Sequence, residues 1–196
     1  MQLYGMRDMV SSRGPAADES DLYEGETHVH LLDASPRNQP GGTCHGLTEK
    51  GLHLVRIRLS SANSGDELGA RFELDPENVL LLGALRHRDL SPRGVTQLAD
   101  SITGIIREKP TVYLGFYNRA GSVSLKMHAF QLLPGIGQSK ATRMVKARGR
   151  VGWENLDAVS AGCEIDAAAA LGARLAEEMQ DPTSKPSLLE LLVRAA

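Results

Sequence analysis

The chain has 196 residues, 22 Lys and Arg against 24 Asp and Glu, and a hydrophobic content of 41%. That is enough apolar material for a core, and it excludes a chain disordered throughout. Aromatic residues make up only 4%, which argues against a surface that tracks a single strand by ring stacking. Two cysteines, Cys44 and Cys163, exclude a disulfide scaffold and a four-cysteine zinc site.

Residues 1–24 are polar and acidic, show no sustained period, and are expected to form a mobile leader. Arg7, Asp8 and Arg13 fall in the first stretch without an apolar h-region, so a signal peptide is not expected. The longest apolar run, Val79 to Leu85, is too short to span a bilayer. A soluble, cytoplasmic protein with no membrane partner is the expectation.

From Glu26 the pattern becomes strand-like. Thr27 to Leu31 alternates across two faces, and Gly51 to Leu59 alternates more strongly still. Ala70 to Leu74 and Asn78 to Leu82 read as two further short strands around Asp75-Pro76. Ser91-Pro92 marks a helix start, and Val95, Leu98, Ala99, Ile102, Ile105 and Ile106 keep helical spacing to about Lys109. Thr111 to Tyr117, β-branched and aromatic, is expected to be a last strand. The predicted fold is therefore α+β: a small OB-like antiparallel barrel over 25–118 carrying a helix at 92–109, then an all-α unit over 119–180 and a short tail helix over 181–196.

The near-zero net charge hides an asymmetry. Residues 119–150 hold seven bases and no acid, whereas 151–196 hold three bases and eight acids. Nothing local neutralises the seven cations, which suits a polyanion. Inside this window, Val123, Met127 and Phe130 at helical spacing predict a helix that runs into Leu133-Pro-Gly-Ile-Gly137, and Ala141, Met144 and Val145 form the apolar stripe of the next helix. The string resembles the helix-hairpin-helix nucleic-acid-binding motif. Pro134 ends the first helix, while Gly135 and Gly137 permit positive φ and leave no Cβ between backbone and phosphate. Ile136 plugs the gap between the helices, and the free amides of the second helix point at the anion. The candidate binding residues are Gly135, Ile136, Gly137, Ser139, Lys140, Arg143, Lys146, Arg148 and Lys126. Such contacts read backbone rather than bases, so the expected partner is an RNA or DNA backbone. Arg56 and Arg58 share a face of the strongest strand and form a possible second surface.

Two related arrangements do not fit. A P-loop needs Gly-Lys-Ser/Thr to close its glycine loop, but here Lys140 follows Ser139. The base-excision glycosylases share the hairpin and add a catalytic Asp in a Val-Asp-Thr-His-type segment, whereas the first carboxylates downstream here lie in Trp153-Glu-Asn-Leu-Asp157. The stretch after Gly149 reads as a degenerate second copy, with Asp166 capping a helix from Ala167 to Met179 around Leu171 and Leu175. Glu164 and Asp166 would repel phosphate, so this copy is assigned to packing. His28, His30, Cys44 and His45 match no standard zinc spacing. No metal, cofactor or catalytic residue is expected.

His128-Ala-Phe-Gln-Leu-Leu-Pro-Gly-Ile-Gly137, preceded by Phe116-Tyr-Asn-Arg-Ala120, resembles the mainly archaeal DUF655 family, whose members carry nucleotide- or RNA-binding labels. The resemblance covers about 26–180 and is strongest at 116–148. It implies an OB-like barrel joined to a helix-hairpin-helix unit, no known catalysis, and an RNA- or ribosome-linked role by gene neighbourhood. Lys126 stands where the family usually has Arg, and Gln138-Ser139 replaces a more basic pair, which implies weaker phosphate affinity. The expected function is non-enzymatic nucleic-acid binding, RNA before DNA. The alternative is a protein-interaction adaptor that docks its helical half on a partner.

Overall fold

The structure, a computed structural model, describes residues 23–34, 42–60 and 67–194. Apart from Tyr23 and Glu24, the expected leader over 1–24 lies outside the described residues. Five strands, β1 (His28–Ala34), β2 (Thr43–Thr48), β3 (Leu54–Leu59), β4 (Arg71–Glu73) and β5 (Val79–Ala84), form one sheet in the order β4-β1-β2-β3-β5. Every pairing is antiparallel, and the sheet curls into a half-barrel.

The alternation of side chains splits the sheet's two faces between two cores. Val29, Leu31, Cys44, Val55, Ile57, Leu59 and Val79 close the inside of the curl. Leu32 and Leu47 lie on the outer face and join the helical core. β2 had no clear strand signal because Gly46 interrupts it. A Cβ at Gly46 would come within 2.6 Å of the Val29 side chain, so glycine is what lets β1 and β2 pair this closely here.

Helix α1 (Pro92–Glu108) starts where expected, with Ser91 Oγ accepting from the Gly94 amide at 3.1 Å. It buries Leu98, Ile102, Ile105 and Ile106, each worth roughly 1.5–3 kcal/mol of transfer from water. The expected strand at Thr111 to Tyr117 is instead α2 (Pro110–Arg119). Pro110 suits a first helical turn, and Tyr113, Phe116 and Tyr117 are buried at i, i+3, i+4 spacing. Burial of three rings on one helical face outweighed the β propensity of Thr111 and Val112.

The unit after residue 119 is not all-α. Its expected first helix over Val123 to Phe130 is replaced by a hairpin of β6 (Ser122–Ser124) and β7 (Met127–His128), followed by a single 3-10 turn at Ala129–Leu132. Leu125 and Lys126 form the exposed hairpin tip. Then come α3 (Gln138–Arg148), α4 (Leu156–Cys163) and α5 (Ala167–Gln180), with Asn155 and Asp166 capping α4 and α5 through their side chains. A short helical segment from Leu188 to Arg194 ends the described chain.

Contacts do not stop at residue 119. One apolar cluster runs from Leu32 and Leu47 through α1 and α2 to Phe130, Trp153, Leu171 and Leu189. α5 crosses α1 closely at Gly172, where a Cβ would meet Thr103 Oγ1 at 2.5 Å. The Tyr117 hydroxyl donates to the Ala167 carbonyl at 2.7 Å, and Arg107 pairs with Asp166 at 2.6 Å. Among the described residues, no helix is long and apolar enough to cross a membrane.

Candidate functional site

The turn before α3 has the exposure a ligand would need. Pro134, Gly135, Gly137, Gln138 and Ser139 are exposed, while Ile136 is buried among Leu133, Ala141 and Met144 of the main core. Only Gly135 has positive φ, at 74°; Gly137 sits at φ −82° and ψ 176°, which any residue adopts. A Cβ at Gly137 would meet nothing within 4 Å. Neither backbone strain nor an internal neighbour accounts for glycine at this position.

The helix that follows begins bare. Ser91, Asn155 and Asp166 cap α1, α4 and α5, whereas α2 at Lys109 and α3 at Gly137 have no side-chain cap. Its first-turn amides have no intrahelical acceptor and face outward. On the other side of the turn the chain is held firmly. His128 Nδ1 accepts from the Phe130 amide at 3.1 Å and Gln131 Oε1 accepts from the His128 amide at 2.9 Å. Burial first, and then the Arg148 charge, push the His128 imidazole below its usual value, in keeping with an accepting Nδ1. The His128 ring packs at 4.6 Å on Phe130.

The cations of the 119–150 window are placed in three different ways. Lys140 and Arg143 come together on the walls of a notch of about 230 Å³ between α3 and the end of α4, with Met144, Gly162, Cys163 and Glu164. Lys140 Nζ donates to the Glu164 carbonyl at 3.3 Å. Lys126, Lys146 and Arg150 are exposed. Arg148 turns inward: Nη1 donates to Ala120 O at 2.6 Å and Tyr117 O at 3.3 Å, and the guanidinium lies 5.6 Å from the Phe130 ring centre. It ties the end of α3 to the end of α2. Arg148→Met is expected to cost about 2 kcal/mol in a urea titration, because it leaves two carbonyls without their donor. An unchanged midpoint would show that this tie contributes nothing.

Of the second surface, Arg56 is exposed on the outer face of β3, paired opposite His45. Arg58 is half-buried, and its Nε has no partner among the described residues. His30, Cys44 and His45 do not converge. His30 is buried against Glu49, and no group of three metal-ligating side chains occurs among the described residues.

Sequence reasoning missed Glu49 altogether. Its carboxylate is buried and accepts from His30 Nε2 at 2.9 Å, from Lys109 Nζ at 3.0 Å and from both Arg71 Nε and Nη2. Burial raises its pKa, but the bonds from Arg71, Lys109 and His30 more than offset this and hold it at about 2. The ionised carboxylate can only accept, so the bridging proton resides on His30 Nε2. These partners are 19, 22 and 60 residues away along the chain, which removes any local signal.

Comparison with known proteins agrees with this architecture. The crystal structure of Af1531 from Archaeoglobus fulgidus, assigned to DUF655, superposes with a TM-score of 0.70 at 20% identity, over 84% of this chain and 99% of that one. That likeness shows a shared fold. No curated protein matches the chain. The family described as "Protein of unknown function (DUF655)" matches residues 25–190, and the chain belongs to it.

Proposed function

We propose that this protein binds nucleic acid through backbone phosphate, RNA before DNA, without carrying out catalysis. In this reading the turn at Gly135 to Gly137 and α3 form the gripping half of a helix-hairpin-helix motif, and the curled sheet is an OB-like barrel. The observation that carries it is Gly137, which is open to solvent, at ordinary φ, and free of any internal contact that would forbid a side chain. A phosphate lodged against bare backbone is the physical reason for a glycine there. Support comes from the uncapped helix start, from Lys140 and Arg143 side by side, and from the absence of any carboxylate between residues 119 and 150. RNA is placed first on the family resemblance, as is a ribosome-linked setting. Arg148 is left out of the contact set because its donors are spent internally.

Fluorescence anisotropy with structured RNA, single-stranded RNA and duplex DNA over a salt series tests the reading. With about three or four phosphates neutralised, log affinity falls against log salt with a slope of roughly −2 to −4. Gly137→Val weakens binding by about 10-fold or more through loss of amide–phosphate bonds, while the fold is kept and the melting temperature falls by only a few degrees, because the new side chain enters open space and costs only the poorer N-cap. Salt-independent affinity, or full binding by the variant, overturns the mechanism. A second reading, a protein-interaction adaptor, is favoured by Leu125 and Val151, which stand fully exposed on two short loops of the helical half. Failure to retain any nucleic acid at low salt selects it.

A further inference from the structure

A large cleft lies away from the hairpin. It has a volume of about 620 Å³ and opens between the β3–β5 end of the sheet and the C-terminal segment, and none of its lining residues comes from the 119–150 window. One wall is the stretch from Leu52 to Leu54; another is Ala84 to Arg88; the end of α5 and residues between Pro182 and Arg194 complete it.

Its chemistry is uneven in a specific way. The lining contains two carboxylates, and both are spent. Glu178 accepts from Arg174, Ser187 and the amides of Leu188 and Leu189. Glu190 pairs with Arg194 at 3.1 Å. Arg86, Arg88 and Lys185, which come from two separate segments, are exposed, and their side chains make no ion pair or hydrogen bond among the described residues. Three unmatched cations therefore border one cavity. The lining is somewhat more apolar than polar, with Leu54, Leu85, Met179 and Leu189, and it holds three rings: Tyr23 and His53, edge-to-face at 5.7 Å, and His87. Burial first, and then Arg194, lower the His53 pKa, so near neutral pH this ring is an uncharged, half-buried surface. An apolar and aromatic recess bordered by unpaired cations matches an anion with an aromatic body, and the volume falls in the range of small-molecule sites.

We propose that this cleft binds a nucleoside phosphate, its base against the Leu54–His53–Met179 side and its phosphate held by Arg86, Arg88 and Lys185. The site is separate from the Gly135–Gly137 turn and does not depend on the reading of that turn. The same chemistry is offered by a free nucleotide and by the 5′-phosphorylated end of a strand.

Isothermal titration of the full chain with adenosine monophosphate, adenosine and inorganic phosphate tests it. The monophosphate is expected to bind saturably, with adenosine and inorganic phosphate each weaker by about 10-fold or more, since each lacks half of the recognised chemistry. The double variant Arg86→Ala, Arg88→Ala is expected to weaken the monophosphate by about 10–100-fold. Its melting temperature and the salt slope of nucleic-acid binding stay the same, because both side chains are exposed and unpaired. Competition by a 5′-phosphorylated tetranucleotide identifies the strand end as ligand, and its absence identifies the free nucleotide. No saturable binding of the adenosine, guanosine, cytidine or uridine monophosphate up to about 1 mM, or binding that the double variant leaves intact, overturns the proposal.

Discussion

Replacing Glu178 with alanine is expected to destabilise the protein by about 4 kcal/mol, the largest effect of any single surface-distant polar change here. The carboxylate is buried, with its side chain 2% exposed, and receives four donors: Arg174 Nε at 2.8 Å, Ser187 Oγ at 2.9 Å, and the amides of Leu188 and Leu189 at 3.0 and 2.9 Å. Truncation strands two buried amides and removes one acceptor from a mostly buried guanidinium. For a chain of this size that corresponds to a fall of roughly 10 °C in melting temperature. Calorimetry and urea titration measure it, and limited proteolysis should show cleavage moving into 182–194. Ser187→Ala, which removes one donor and spares the rest, is expected to cost only about 1 kcal/mol. A Glu178→Ala loss under about 1 kcal/mol would mean that Leu188 and Leu189 dock the segment through apolar burial alone.

Glu49 governs the acid side of the stability curve. Its carboxyl titrates at about 2 in the folded protein against 4.5 for the ordinary group. The unfolded chain therefore takes up this proton first as pH falls. Stability from this site is complete above about pH 4.5, declines between there and about pH 2, and totals about 3 kcal/mol. Glu49→Gln is expected to remove about that much at pH 7 and to flatten the acid limb of the curve. Arg71 and Lys109 keep nearly half of their side-chain surface in water, so they can rehydrate, which keeps the loss at the low end for a broken buried pair. Urea midpoints for wild type and Glu49→Gln at pH 7, 4 and 3 decide it; parallel curves would show that the cluster is energetically idle.

What local pattern can convey is visible in which elements were legible. α1 and α5 announced themselves through Ser91 and Asp166 and through apolar spacing, and both caps form as the residue types require. The turn at Leu133 to Gly137 and the stripe of Ala141 and Met144 were legible for the same reason. The segment Val123 to Phe130 was misleading: Val123, Met127 and Phe130 imitate a helical stripe, yet Ser124 and Met127 pair across a two-residue tip and only Phe130 is fully buried. At Thr111 to Tyr117 two periods competed, and the helical one won once Tyr117 had the Ala167 carbonyl to bond. The candidate site was half readable. Glycines and cations can be counted along a chain, but whether Arg148 faces solvent or reaches back to Ala120 depends on how α2 and α3 meet.

Because Leu32 and Leu47 share a single core with Leu98, Leu171 and Leu189, a cut near residue 119 would bare apolar surface on both pieces. Neither fragment retains what it needs to stand alone, so expression of the β-rich piece without the C-terminal helices should yield aggregated material. The two parts are bound to rise and melt as one cooperative unit, and any ligand taken up by one half raises the melting temperature of the other.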